Sequence, residues 1–256
     1  MGILNVTPDS FSDGGKYFSI NSATEHALEM LEDGADIIDI GGESSRPGAE
    51  EVSIDEEISR TIPVIESIFK HKPNTIISID TTKSEVAEAA LQCGVKIIND
   101  ISGLSDAKML EKVKKYYASI VVMHMQGKPR TMQESPKYKN VFDEVFSFLK
   151  QKIELSKNFG VSSIIIDPGI GFGKSVNHNY ELLRNLAKFQ TLETPLLIGV
   201  SRKSLIGKSL NLDVENRDIA TIILETDAIT KGAKIVRTHN VKNAIQLKRI
   251  NKLLTN

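Results

Sequence analysis

The sequence of 256 residues has no tryptophan, a single cysteine and no uninterrupted apolar run that approaches the ~18 residues of a membrane helix. Its formal net charge is -1, so no general attraction to nucleic acid or to an anionic membrane is expected. Cys93 cannot form an internal disulfide, and its position at a predicted helix end favours a small buried side chain. The first residues lack a basic segment followed by an apolar stretch, so we expect no secretory signal and a cytoplasmic location.

The composition is that of an ordinary globular protein, with 40% hydrophobic and 25% charged residues. No linker, low-complexity stretch or repeated sequence divides the chain. We therefore expect residues 1–256 to form one domain with a large hydrophobic core.

Short β-branched apolar runs recur along the chain, and they are continuous rather than alternating. Strands that are buried on both faces have this pattern. The runs are residues 2–6, 37–40, 75–79, 96–98, 119–123, 164–166, 196–200 and 235–236.

Segments with apolar residues at helical spacing follow these runs. They are residues 23–31, 55–69, 84–94, 109–117, 141–159, 180–189, 219–231 and 244–254. Eight strands, each followed by a helix, predict parallel strands with right-handed crossovers. Eight such units in about 250 residues have the size of a (β/α)₈ TIM barrel, and we predict this α/β fold. A doubly wound open sheet is the alternative.

Polar and charged side chains stand where the predicted strands end, which is where a barrel of this kind carries its active site. They are Asn5, Asp39, Glu43, Ser45, Arg46, Asp80, Asn99, Asp100, His124, Asp167, Ser201, Arg202, Lys203, Arg237 and His239. Helix capping or a solvated loop charge would explain any one of them. A ring of them around one barrel mouth favours a functional site.

The chemistry of this set indicates a class of ligand. Arg46, Lys203 and Arg237 are cations, and the loops after the seventh and eighth strands often bind phosphate in such barrels. Asp80 and Asp167 offer acceptors. Together they suit a ligand with an anionic phosphate end and a heterocycle rich in hydrogen-bond donors.

Several motifs resemble those of the dihydropteroate synthase family of bacterial folate biosynthesis. They are GILNVTPDSFSDGG, GGESSRPGA, SIDTTKSEVAEAAL, IINDISGL, VVMHMQGKPRTMQ, DPGIGFGK, SRKSLIG and RTHNV. The resemblance covers residues 2–241, with the motifs in order. It implies a TIM barrel, dependence on Mg²⁺, a homodimer, and a target for sulfonamides.

The reaction that the resemblance implies joins hydroxymethyl-dihydropterin pyrophosphate to p-aminobenzoate and releases pyrophosphate. The pterin would stabilise a methylene cation as pyrophosphate departs, and the arylamine would attack that cation. Catalysis would be mainly electrostatic, with no protein nucleophile. By the same resemblance the catalytic residues are Arg46, Asp80, Lys203 and Arg237.

The family motifs also imply which residues bind each part of the substrates. The pterin residues are Asp80, Asn99, Met123, Asp167, Gly199 and Lys203, although Met123 is equally open to a plain core role. The pyrophosphate residues are Asn5, Arg46, Arg237 and His239, with Asn5 as the contact to Mg²⁺. The p-aminobenzoate residues are Ser45, Pro47, Phe172 and Ser201. The polar run 7–15 and the ESSRPGA segment resemble two mobile loops that would close over the site.

Residues 219–231 carry two apolar faces, which suggests packing against a second subunit as well as the barrel. Ile219, Ile222, Ile223 and Ile229 form one face, Leu224 and Ala228 lie on the other side, and Glu225 and Asp227 interrupt the pattern.

Two other functions remain open. A pterin-binding methyltransferase domain is disfavoured by the S-x-R-P and S-R-K motifs, and a non-catalytic pterin-binding paralogue by the retained ionisable residues.

Overall fold

The computed structural model describes residues 1–7, 15–45 and 48–255. In this part of the chain the strands alternate with helices in the order that the sequence predicts. The strands are β1 (Gly2–Asn5), β2 (Ile37–Gly41), β3 (Ile76–Asp80), β4 (Ile97–Asp100), β5 (Ser119–Met123), β6 (Ile164–Asp167), β7 (Leu197–Ile198) and β8 (Ile235–Val236). All of their pairings are parallel, as the continuous apolar runs predict.

The α-helices of the described residues lie on the outside of these strands. They are α1 (Gly15–Glu32), α2 (Ile54–His71), α3 (Ser84–Gln92), α4 (Met109–Lys115), α5 (Val141–Phe159), α6 (Val176–Arg184), α7 (Ser204–Leu210), α8 (Asp218–Thr230) and α9 (Val241–Thr255). None of these helices is long and apolar enough to cross a bilayer.

Two helical predictions need correction. The single helix predicted over residues 180–189 is divided in the structure. Its first part, α6, begins at Val176, after the N-cap Ser175, and ends at Arg184. A 3₁₀-helix, Leu186–Leu192, completes the segment. The sequence pattern also misses α7, whose seven residues are too few for a helical period to be recognised.

The strands form a ring through two ladders and two single bridges. Strands β1 to β6 make one sheet in sequence order, and β7 pairs with β8. Isolated parallel bridges join Ile166 to Leu196 and Gly2 to Thr238, so both seams between the sheets are in contact. This closure is the predicted TIM barrel, and it excludes the open-sheet alternative.

The inner surface of the barrel has an apolar base and a polar upper layer. Ile97, Val121, Ile165 and Leu197 pack against one another at the base, with Ile37 and Ile235 beside them. Alternate residues of a strand point to the same face, so the residues two positions later also face the interior. These are Asp39, Asn99, Met123, Asp167, Gly199 and Arg237.

The sequence predicts two apolar faces on α8, and the structure shows which side packs on the barrel. Thr221, Glu225 and Ala228 are its buried residues, whereas Ile219 and Ile223 are 76% and 61% exposed. Glu225 therefore belongs to the interior and does not interrupt the outer face. Asp227 lies on the outer side, where it pairs with Lys231.

Candidate active site

The guanidinium of Arg237 joins side chains from several strands in the mouth of the barrel. Arg237 donates from Nε to Asp39 at 2.5 Å and from Nη2 to Asp80 at 2.7 Å. Asn99 donates from Nδ2 to the same Asp39 oxygen at 3.1 Å. Burial would lower the pKa of Arg237, but the two carboxylates outweigh it and raise that pKa above its usual range. The guanidinium therefore stays charged and is fixed in orientation by charge-assisted hydrogen bonds.

Asp39 is a member of this cluster to which the family resemblance gives no role. Its side chain is fully buried, and its Oδ1 atom has no hydrogen-bond partner among the described residues. A carboxylate in such surroundings is tolerated only when it is paired, as it is here with Arg237. The sequence signal for it is a lone aspartate inside the apolar strand IIDIG.

Lys203 and Asp167 lie beside this cluster. The ammonium of Lys203 donates to the carbonyl of Ile170 and lies 4.6 Å from the centre of the Phe172 ring. Burial lowers the pKa of Lys203 to about 8, with the charge of Asp167 opposing the shift. Asp167 accepts a hydrogen bond of 2.7 Å from the Gly169 N–H. The Lys203 ammonium and the Asp167 carboxylate are thus close enough for their charges to interact.

Gly199 and Met123 frame these charged groups. A methyl group placed on Gly199 would lie 3.8 Å from the Lys203 ammonium and 3.8 Å from Cβ of Arg237. Glycine therefore keeps the surface between the two cations open. Met123 ends β5 directly beside Asp167 in the sheet register, and it is buried. Its position is compatible both with packing beneath a ligand and with a plain core role.

Ser201 and His239, which follow β7 and β8, are hydrogen-bonded to each other. The backbone N–H of His239 donates to Ser201 Oγ at 3.1 Å, and His239 Nδ1 lies 2.9 Å from the same oxygen. The expected p-aminobenzoate and pyrophosphate residues therefore share one corner of the mouth.

A buried ammonium that the sequence reasoning missed joins the loops after β5 and β6. Lys174 is 2% exposed, and its Nζ atom donates to the carbonyl oxygens of Gly169 and Phe172 at 2.9 Å. It also lies 3.0 Å from Nδ1 of His124. Burial lowers the pKa of His124 to about 3, and the charge of Lys174 acts in the same direction. His124 is thus a neutral imidazole that faces the Lys174 ammonium.

The same two loops touch through their backbones. A Cβ atom on Gly169 would lie 1.9 Å from the carbonyl oxygen of His124, and Gly169 has a φ of 69°. Only glycine fits this contact, which explains the first glycine after the proline of DPGIGFGK. The glycines of this motif thus serve the packing of two loops that flank the site.

Asn5 ends β1, and Ser45 lies in the loop after β2. A Cβ atom on Gly41 would meet Asn5 Oδ1 and Asp80 Oδ2, each at 3.8 Å, so both oxygens border the space above Gly41. Ser45 lines a cavity of about 350 Å³ that also reaches Asp80 and the loop after β5. Arg46 and Pro47, like residues 8–14 of the first predicted loop, lie outside the described residues.

The chain is similar in sequence to known enzymes. The model of the pterin binding enzyme family matches residues 1–239. Dihydropteroate synthase of Escherichia coli strain K12 is 46% identical over 252 residues, which are 98% of this chain and 89% of that protein.

Solved structures agree with the sequence relatives. The structure of Yersinia pestis dihydropteroate synthase in complex with a sulfonamide drug superposes with a TM-score of 0.93 at 42% identity, over 100% of this chain and 93% of that one. Xanthomonas albilineans dihydropteroate synthase with 4-aminobenzoic acid gives a TM-score of 0.93 at 38% identity, over 100% and 92%. With its barrel, its charged mouth and its motifs, this chain belongs to the pterin binding enzymes and, among them, to the dihydropteroate synthase family.

Proposed function

We propose that this protein condenses hydroxymethyl-dihydropterin pyrophosphate with p-aminobenzoate to give dihydropteroate and pyrophosphate. The observation that carries the proposal is the mouth of the barrel, where the guanidinium of Arg237 is held by Asp39 and Asp80 next to Lys203 and Asp167. Acceptors for a pterin and cations for a leaving pyrophosphate thus stand side by side in a member of the dihydropteroate synthase family.

The pterin would bind with its donor edge on Asp167 and Asn99 and with Asp80 at its ring. Its amino group and ring N–H are adjacent donors, and a buried carboxylate accepts both in strong charge-assisted hydrogen bonds. Lys203 would donate to the ring acceptors while its charge is balanced by Asp167. Gly199 would allow the ring to approach the backbone, with Met123 packed beneath it.

Departure of pyrophosphate would be driven by positive charge that is already in place. Arg237 would contact the developing anion together with His239, and Arg46 would approach it from the second loop. Such preorganised charges act most strongly where water is excluded. As the C–O bond breaks and its electrons leave with pyrophosphate, the electron-rich pterin would stabilise the methylene cation. The arylamine nitrogen would attack this cation and then release one proton to give the neutral product. No protein nucleophile enters this sequence of steps.

Magnesium fits the rim at Asn5. The Asn5 amide oxygen and the Asp80 carboxylate border the same space above Gly41, and Mg²⁺ prefers oxygen ligands together with substrate phosphates and water. The described residues contain no cluster of three acidic, histidine or cysteine side chains that could hold a metal alone. We therefore propose that Asn5 is its protein contact and that the substrate supplies the phosphate oxygens. When bound, the ion would neutralise charge on the leaving pyrophosphate.

The p-aminobenzoate would lie against Phe172 and Ser201, with Ser45 and Pro47 of the second loop covering it. The ring of Phe172 lies under the Lys203 ammonium, and this contact supports Phe172 as one wall of the pocket. The Yersinia pestis relative binds a sulfonamide drug, and we propose that this chain is a sulfonamide target too. Threonine at this position would keep the hydroxyl and add a methyl group, so we propose that Ser45→Thr changes sulfonamide affinity. Identical inhibition curves for wild type and Ser45→Thr would contradict this.

Product formation from the two substrates, measured with and without Mg²⁺, tests the reaction. Metal-dependent dihydropteroate is the expected result. Folded protein that binds pterin but forms no product would favour the non-catalytic paralogue. Transfer of a methyl group from a pterin would favour the methyltransferase alternative.

We further propose that two copies associate through α8 and α9. Ile219 and Ile223 of α8 and Leu253 and Leu254 of α9 are large apolar side chains that are 61–80% exposed, and exposed apolar surface of this kind is a candidate interface. Sedimentation at micromolar concentration should give a dimer for wild type and a monomer for Ile223→Glu. A monomeric wild type would contradict the proposal. The cytoplasmic location stays a prediction of the sequence.

A further inference from the structure

Arg202 stands between Ser201 and Lys203 in the S-R-K motif, and its backbone is in the left-handed region. Its φ is 55°, a conformation that non-glycine residues rarely adopt. Residues held in this region persist only where the surrounding structure imposes it, and they cluster at functional sites. Ser201 Oγ contacts His239, whereas the Lys203 ammonium reaches Ile170 and Phe172. The strained residue therefore separates two side chains that serve different parts of the mouth.

The contacts that impose this conformation come from α8 and the turn before it. The guanidinium of Arg202 donates from Nε to Asp218 Oδ1 at 2.6 Å and from Nη2 to Oδ2 at 2.8 Å. Its backbone N–H donates to Thr221 Oγ1 at 3.1 Å, and its carbonyl accepts from Arg217 Nη1 at 3.0 Å. Both the side chain and the peptide groups of Arg202 are thus bound by the same helix start.

The ion pair also connects the loops after β7 and β8. Asp218 Oδ2 accepts a second hydrogen bond of 2.8 Å, from Nδ2 of Asn240, which follows His239. The pair with Arg202 lowers the pKa of Asp218, so this carboxylate stays ionised. One carboxylate at the start of α8 therefore ties together the two loops that carry Ser201, Lys203, Arg237 and His239.

We propose that Arg202 is a positioning residue, whose bidentate ion pair with Asp218 holds the left-handed turn that aims Ser201 and Lys203 into the site. The proposal rests on the proposed function, because the aim of these two side chains matters through p-aminobenzoate and the pterin. Arg202 itself makes its side-chain contacts away from the reacting groups.

The experiment compares two substitutions that differ only in what the backbone tolerates. Arg202→Ala removes the ion pair and leaves a residue for which φ > 0 is unfavourable, whereas Arg202→Gly removes the pair and tolerates φ > 0. Arg184→Ala is the matched control, because Arg184 is an exposed arginine at the end of α6. The readouts are KM for each substrate, kcat, thermal unfolding, and the Kd for pteroic acid by calorimetry.

We expect Arg202→Ala to lower kcat/KM for p-aminobenzoate and to weaken pteroic acid binding by about tenfold or more, since small misplacements of positioning groups have effects of that size. Arg202→Gly should recover part of the loss, and Arg184→Ala should match wild type. If Arg202 had a purely structural role, both Arg202 variants would unfold at a changed temperature. Their kcat/KM and Kd values would then not follow the order wild type, Arg202→Gly, Arg202→Ala.

Values of KM and Kd within twofold of wild type for Arg202→Ala would overturn the proposal. If that variant does not fold, Asp218→Asn replaces it, because asparagine keeps one acceptor and loses the charge. Wild-type constants in Asp218→Asn would then overturn the proposal. The pteroic acid measurement separates the two claims: a wild type that forms no product contradicts the proposed function, and unchanged pteroic acid binding in the variants contradicts the role of Arg202.

Discussion

Asp39 and Arg237 lie 198 positions apart in the sequence and share a 2.5 Å hydrogen bond at the centre of the barrel mouth. The carboxylate is fully buried and the side chain of Arg237 is 19% exposed, so the buried charge of Asp39 depends on its pairing with Arg237. Asn99 binds the same carboxylate oxygen. Asp39 therefore orients two of the proposed substrate residues without being one of them.

Asp39→Asn should lower kcat/KM for the pterin substrate by about 100-fold, because a guanidinium that loses a buried partner is no longer fixed in direction. The measurement is steady-state kinetics with each substrate varied in turn. Asp36→Asn is the control, because Asp36 is exposed and pairs with Lys248 at the other end of the same strand. Activity of Asp39→Asn equal to that of the control would contradict the positioning role.

Lys203 should give the pH profile an alkaline limb. Its pKa in the folded protein is about 8, lowered by burial, so the ammonium loses its proton as the pH rises through that value. Since the proposed role needs a donor, kcat/KM for the pterin substrate should fall above pH 8. Lys203→Arg keeps a charge throughout this range and should move the limb to higher pH. A limb at the same pH in both proteins would assign it to another group.

His124 should make the protein sensitive to mild acid. Its pKa is about 3 in the folded protein against 6.5 in the unfolded chain, so below pH 6.5 the unfolded chain binds a proton that the folded protein does not. Stability is therefore lost as the pH falls from 6.5 towards 3. At pH 5 the loss from this group is on the order of 2 kcal/mol.

Urea unfolding at pH 7.5 and pH 5 measures this effect. The free energy of unfolding should decline more steeply with acid in wild type than in His124→Asn. His71→Asn, at an exposed histidine at the end of α2, serves as the control. Equal slopes in wild type and His124→Asn would show that His124 does not couple folding to protons.

Glu225 should destabilise the protein at alkaline pH. Burial raises its pKa from 4.5 to about 7, and the hydroxyl of Thr238 opposes this shift only in part. The folded state thus holds its proton more tightly than the unfolded chain, so the stability it provides below pH 4.5 is lost as the pH rises through 7. Glu225→Gln should raise the free energy of unfolding at pH 8 by on the order of 2–3 kcal/mol and leave it unchanged near pH 4.5. Glu215→Gln, at an exposed position, is the control; a gain that is independent of pH would point to packing instead.

The order of strands and the ring of polar strand ends could be predicted from the sequence because both follow from local rules. A continuous apolar run predicts a strand buried on both faces, and in a parallel barrel the residues that follow such a run lie at the mouth. Asn99, Asp167 and Arg237 follow from this rule alone. The family motifs then add the expected roles of residues such as Ser201.

The contacts that join different loops could not be predicted. Lys174 looks like a loop lysine in the sequence, and its burial depends on four acceptor atoms from two loops. The inward direction of Glu225 likewise depends on how α8 rotates against the barrel, and the two apolar faces of its sequence leave that rotation open. Packing of one segment against another decides both cases, and a single sequence does not contain that information.

The two inner layers of the barrel have a consequence for how the protein tolerates mutation. Ile97, Val121, Ile165 and Leu197 support the strands from below, whereas the residues two positions along form the layer that faces the mouth. Substitutions in the lower layer should therefore appear as loss of protein abundance, and those in the upper layer as loss of turnover in protein that accumulates normally. Along each strand, the phenotype of a substitution would therefore depend on the layer in which the residue lies. Residues of the mouth, and with them the chemistry, could change during evolution while the apolar layer at the base stayed unchanged.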